Sequence, residues 1–212
     1  MKVSVIWLVA AVAVMLTLNV MGSKTEPNTV TAEKFILVDD QGNHRIVMQT
    51  DEAGEASMQF LHPDGSARFG VRSNPDGVTA LWFIDDEGVE RLSLKVLADG
   101  ESFITHYDQH GSLRISTGTL KNDTALSNFF DSNDEVRIAL GTKTDEQALV
   151  QLYDASGVDR VQFGIDEKQR VVGQMKGSDG SVVMQAGVDT DDSASIRIYE
   201  YGAGGRTTHE LP

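Results

Sequence analysis

The chain has no cysteine among its 212 residues, so it carries no disulfide framework, thiolate metal site or thiol nucleophile. Basic residues are scarce too: 18 Lys and Arg stand against 32 Asp and Glu, a net charge of −14. A surface this acidic repels phosphate backbones and anionic lipid headgroups, which argues against nucleic acid as a partner. Proline is sparse (4 residues) and 40% of the chain is apolar, which a disordered or proline-rich linker would not be. There is no Gly-x-Ser-x-Gly nucleophile elbow, phosphate loop or dinucleotide fingerprint.

One long apolar run is present, Val3 to Met21, interrupted only by Ser4, Thr17 and Asn19. At about 1.5 Å per residue it nearly crosses a hydrocarbon core of about 30 Å, so residues 1–22 are expected to form a single-pass transmembrane anchor. A cleaved signal peptide is the alternative, but the run is longer than an ordinary signal core and lacks Pro or Gly before Gly22. Lys2 and the terminal amine place the N-terminus in the cytoplasm and the bulk of the chain in the periplasm or outside the cell. Residues 23–34 read as a polar linker, and residues 35–212 as the main domain.

That domain is a repeat of 23 residues. Arginine recurs at Arg45, Arg68, Arg91, Arg114, Arg137 and Arg160, is replaced by Val183, and returns at Arg206. Gly42, Gly65, Gly88, Gly111, Gly157 and Gly180 stand three residues earlier, and Asp39, Asp85, Asp108, Asp131 and Asp154 six earlier. In Asp-x-x-Gly-x-x-Arg the Asp bonds the backbone of its own turn and the Gly takes a positive φ. A second set of turn residues, Gly54, Gly77, Gly100 and Asp123, falls between repeats. The runs between are short and rich in β-branched and aromatic residues, so each repeat is a β-hairpin and eight repeats give about sixteen strands.

Pairing like with like fixes a register. It sets Phe60 against Phe69, Phe83 against Leu92, Phe129 against Ile138 and Leu152 against Val161, and carries across the next turn as Met48 to Met58 and Val71 to Leu81. One face of the meander is thereby apolar throughout. On the other face the same register stacks Tyr107, Phe130, Tyr153 and Tyr199 on Arg114, Arg137, Arg160 and Arg206. In the seventh repeat Lys176 and Val183 exchange the two roles. An apolar face this long is expected to be hidden by a twisted or curled sheet wrapped around it.

A 23-residue β-hairpin unit repeated along a meander resembles the MORN-repeat layout, which implies a scaffold or membrane-proximal organiser. The resemblance covers period and topology over residues 35–212. The signature Tyr/Phe-x-Gly-x-Trp and Gly-x-Gly elements are absent, the comparable strand reading Leu81-Trp82-Phe83-Ile84, so no functional residue is carried over. As a layout, an anchored all-β chain also resembles the accessory subunits that brace bacterial reaction-centre and light-harvesting complexes.

Reactive constellations have simpler explanations. Asp189, Asp191, Ser193, Ser195 and Glu200 have the spacing of a calcium loop, but Ala194 stands where Gly is needed and the period places Ser193 to Tyr199 on a strand. Asp39-Asp40 and Asp85-Asp86 fall at the repeated turn rather than in a cleft, and His106 with His110 alone is a weak metal site. No catalytic, cofactor or metal residue is assigned. The expected function is a non-enzymatic, membrane-anchored scaffold or protein-interaction subunit, partnered by integral membrane proteins of a larger assembly, with Trp82, Tyr107, Phe130, Tyr153 and Tyr199 as interaction aromatics. The alternative is a glycan- or ligand-binding module that stacks sugars on Trp82, Tyr107, Tyr153 and Tyr199.

Overall fold

The computed structural model describes residues 30–142, 147–202 and 205–211, so the expected anchor over residues 3–21 lies outside the described residues. Among the described residues no helix is long and apolar enough to cross a membrane. The unit 34–212 is all β. Its first repeats comprise β1 (Lys34–Val38), β2 (His44–Thr50), β3 (Ala56–Leu61), β4 (Ala67–Ser73), β5 (Thr79–Ile84) and β6 (Glu90–Val96). The middle comprises β7 (Ser102–Tyr107), β8 (Leu113–Thr119), β9 (Ala125–Phe130), β10 (Val136–Thr142), β11 (Ala148–Tyr153) and β12 (Asp159–Ile165). The last are β13 (Val171–Lys176), β14 (Val182–Val188), β15 (Ala194–Gly202) and β16 (Gly205–Leu211). All belong to one antiparallel sheet in chain order, the meander expected from the repeat.

Among the described residues one turn design recurs both within and between repeats, from β1–β2 to β14–β15. In the first, the Asp39 N–H donates to the Asn43 carbonyl at 3.0 Å and the Gly42 N–H donates to the Asp39 carbonyl at 3.1 Å. Gly42 takes φ 85°, a region that L side chains resist. The turn between repeats is the same: Asp51 N–H reaches the Glu55 carbonyl, and Gly54 has φ 83°. Asp123, Asp134, Gln169 and Asp192 hold the same backbone at φ 61–63°, Asp being one of the few residues that tolerate it.

Between the turns the expected apolar register holds residue for residue: Phe60 pairs Phe69, Met58 pairs Val71, Phe129 pairs Ile138, and Met48 pairs Met58. Near the within-repeat turn it does not. Phe130 pairs Val136, Tyr107 pairs Leu113 and Tyr153 pairs Asp159, one residue short of the arginines expected there. The pairing then slips so that Ile138, not Arg137, resumes the ladder. Each arginine from Arg45 to Arg160 is thus the extra residue of a β-bulge. That residue makes β4, β6, β8 and β10 seven residues long against six in β3, β5, β7 and β9. The odd period of 23 follows from it.

The Lys176–Val183 exchange is also corrected, since Lys176 pairs Val182. Its ammonium instead meets Asp159 of the preceding repeat at 2.5 Å. In β16, Arg206 pairs Tyr201 rather than Tyr199. Its guanidinium nevertheless lies 4.9 Å from the Tyr199 ring centroid, a diagonal stack.

Among the described residues each strand contacts only its neighbours in the chain. β16 does not return to β1, so no barrel closes among the described residues, and many of the apolar side chains stay exposed. The reason lies in the register. Closure into a barrel needs strands staggered by a fixed shear, whereas Met58, Leu81 and Ile104, 23 residues apart, sit on one straight rung. The bulge restores the same level in every repeat, and no stagger accumulates.

Candidate functional site

The turn aspartates and bulge arginines form a row along one long edge of the sheet. At Arg45, Arg68, Arg91, Arg137 and Arg160 the bulge carries the arginine past its own turn toward the next repeat. Arg45 Nε donates to the Leu61 carbonyl at 3.1 Å, Arg91 Nε to the Tyr107 carbonyl at 3.2 Å and Arg160 Nε to the Lys176 carbonyl at 2.8 Å. Arg68 and Arg137 reach the carbonyls of Asp85 and Asp154 in the same way. Most also keep the aspartate six residues back: Arg91 to Asp85 at 3.2 Å, Arg160 to Asp154 at 3.1 Å, Arg114 to Asp108 at 3.9 Å, and Arg137 to Asp131. Where His62 replaces that aspartate, Arg68 turns to Asp86 at 2.9 Å. The motif is a clamp. Asp shapes the turn, Gly supplies its backbone, and Arg ties the turn to the following repeat.

These contacts hold the turn carboxyls below their ordinary value near 3.8. The Ser156 hydroxyl and the Arg160 guanidinium lower Asp154 to about 2, and the Ser66 hydroxyl and N–H lower Asp64 to about 2. Asp131 is lowered by the Asn133 N–H and Arg137, and Asp85 mainly by the Val89 N–H. A carboxylate depressed by folding stabilises the fold above its unfolded pKa and loses that contribution as pH falls through the folded value. At constant salt the melting temperature should therefore be level from neutral pH to about 4.5 and drop between about pH 4 and pH 2. A flat profile across that acid window in a thermal melt would remove the clamp from the account of stability.

The aromatics do not form one site. Tyr107, Phe130, Tyr153 and Tyr199 recur at the 23-residue period on the face opposite the apolar rungs, but Trp82 lies on a different rung, paired with Gly70 and Ser93. The Trp82 ring lies against Gly70 and has Arg72 at 5.8 Å from its centroid. Desolvation, with the Asp159 charge behind it, raises the Tyr153 hydroxyl above its ordinary pKa. Among the described residues no three His, Asp or Glu converge as a metal-ligand set. Asp189, at the head of the calcium-like spacing, starts an ordinary turn with its N–H on the Ser193 carbonyl at 2.8 Å.

A second glycine column, Gly118, Gly141, Gly164 and Gly187, also has a 23-residue period and was legible in the sequence, four residues after Arg114, Arg137, Arg160 and Val183. It alternates across one rung with Phe103, Leu126, Leu149 and Val172. A Cβ at Gly118 would strike the Ser102 carbonyl, one at Gly164 would strike the Ala148 carbonyl, and one at Gly141 would come within 2.9 Å of the Ala125 carbonyl. These strands approach more closely than any side chain permits.

The apolar face is the surface the chain leaves open. Met48, Phe83, Leu94, Ile104, Leu140, Val150, Phe163, Met175 and Ile198 are each more than a third exposed. One straight rung of this face runs Met58, Val71, Leu81, Leu94, Ile104, Thr117, Ser127, Leu140, Val150, Phe163, Gly173, Ala186 and Ile196. It carries no Asp, Glu, Lys or Arg. Where it narrows to Thr117 and Ser127, hydrogen-bonded at 2.8 Å, a groove of about 610 Å³ opens, floored in part by Leu126 and Gly141. A shallower groove of about 330 Å³ lies where it narrows again at Gly173 and Ala186.

No protein-family model matches the chain, and no curated protein matches it. A solved structure described as the crystal structure of TcdB2-TccC3-TEV is similar to 81% of this chain at 11% identity, with a TM-score of 0.23. The chain spans 11% of that structure's length.

Proposed function

We propose that the chain is a non-enzymatic, membrane-anchored scaffold or protein-interaction subunit whose β domain works outside the cytoplasm as an accessory part of a larger membrane assembly. The exposed apolar face is the observation that carries this reading. A soluble monomer seldom leaves more than a few hundred Å² of contiguous apolar surface in water, and sixteen strands about 4.8 Å apart extend this face to about 70 Å. Its central rung from Met58 to Ile196 carries no ionisable side chain and offers a docking surface. The run from Val3 to Met21 supports the anchor. The glycan reading gains little, because Trp82 is already engaged by Gly70 and Arg72.

The test is membrane fractionation of the full chain, followed by chemical cross-linking in native membranes and identification of the linked proteins. The chain should sediment with membranes, and Leu94→Lys with Val150→Lys should abolish its cross-links while the circular-dichroism spectrum stays unchanged. A chain found in the soluble fraction, or cross-links indifferent to the two lysines, would overturn the reading.

A further inference from the structure

We propose that the partner docked on the apolar face is a second copy of this chain, packed face to face as a two-layer sandwich. The inference rests on the interaction-subunit reading above and names its partner.

The rung profile is self-complementary. Tall side chains stand on β3 to β7 (Met58, Val71, Leu81, Leu94, Ile104) and on β10 to β12 (Leu140, Val150, Phe163). The rung is low on β8 and β9 (Thr117, Ser127) and on β13 and β14 (Gly173, Ala186). The Phe163 ring leans over Gly173, which leaves Ala186 as the deeper part of the second dip. A two-fold axis parallel to the strands, passing between β9 and β10, reverses the strand order of the second copy. It then seats the β10–β12 ridge of each copy in the β8–β9 dip of the other. The same operation sets Leu81 on β5 and Leu94 on β6 of each copy over the other copy's β13–β14 dip. One axis satisfies both fits, as an isologous interface requires, since residue i meets j and j meets i.

Three further properties favour a copy over an unrelated protein. The rung is free of charge, so placing it on itself sets no like charges together. Two copies share the same strand spacing, twist and 23-residue period, so a fit made at one ridge continues along the face. Fourteen strands, β3 to β16, overlap, and at about 4.8 Å each and roughly 15 to 20 Å of width they bury roughly 1,000 to 1,300 Å² per copy, the scale of a stable homodimer.

The natural absence of cysteine makes the test clean. Single-cysteine full-length chains would replace the native one in source membranes, be treated with a bismaleimide long enough to bridge two stacked sheets, and be sized on denaturing gels. Leu140 lies beside the proposed axis on the apolar face, and Ala139 is its neighbour on the opposite face. Stacked sheets lie about 10 Å apart, within reach of such a linker, so Leu140→Cys should give a 46.0 kDa product (2 × 23.0 kDa) exceeding that of Ala139→Cys by about tenfold. Ser127→Cys, one strand away, provides a second reporter should Leu140→Cys fail to fold. Co-expressed Leu81→Cys and Ala186→Cys chains, on β5 and β14, should link to each other more than either links to itself. Equal products from the two faces, or none at 46.0 kDa, would overturn the proposal. A product of another mass from Leu140→Cys would remove the second copy but leave the interaction reading standing, whereas no product of any mass, together with cross-links indifferent to the lysines, would remove both.

Discussion

Replacing Gly118 or Gly164 with alanine should destabilise the domain by about 2 to 3 kcal/mol, the upper range for adding a methyl group to a site with no room for it. Neither glycine sits in a turn, and the positive-φ glycines do not include them. Their role is the approach of neighbouring backbones. A methyl at Gly118 meets both the Ser102 carbonyl and the Phe103 ring, and one at Gly164 meets the Ala148 carbonyl and Leu149 Cδ2. Backbone cannot rotate aside as a side-chain tip can, so the strand pair must separate and weaken its ladder. Gly141→Ala and Gly187→Ala, with nearest backbone contacts of 2.9 and 2.8 Å, should cost less. Urea unfolding followed by circular dichroism gives the ranking. Losses below about 0.5 kcal/mol at Gly118 would mean that strand spacing there is looser than drawn.

Arg137→Ala should lower the melting temperature by about 3 to 6 °C, because it removes a charge-assisted contact to Asp131 and a tie to the Asp154 carbonyl of the next repeat. Arg137 and Asp131 are each about 23% exposed, better shielded than the other aspartate–arginine pairs of this edge. Arg137→Lys should recover less than half of the loss, since an ammonium cannot span both acceptors as a guanidinium fork does. Asp131→Ala combined with Arg137→Ala should fall well short of the two separate losses added together, as expected for groups that share one contact. Arg114, held to Asp108 at 3.9 Å, should be nearly indifferent to the same change. In an array where each repeat touches only its neighbours, the loss should appear as local opening of β9 to β12, visible by hydrogen exchange. Additive losses from the double variant would show that arginine and aspartate act separately.

Much of this architecture is readable before any coordinates. Asp-x-x-Gly spacing marks the turns because few side chains adopt a left-handed backbone, and pairing Phe60 with Phe69 fixes the apolar register because a slip of one residue would turn every side chain over. The bulge was not readable. An extra residue changes neither composition nor the apolar ladder, so Phe130 opposite Arg137 satisfies the sequence as well as the observed Phe130 opposite Val136. The glycine column was present at the same period as the arginines. Its meaning depends on the distance between backbones, which a sequence does not carry.

The sequence by itself determined the repeat, the strand order, the turn chemistry and which side chains share a face, because each follows from interactions spanning no more than two adjacent strands. Only the tertiary structure decided that the arginines clamp neighbouring repeats and that the sheet stays open. Both depend on how small offsets add along sixteen strands. One bulge per repeat resets the register instead of letting it drift, and a ladder without stagger has no way to close on itself.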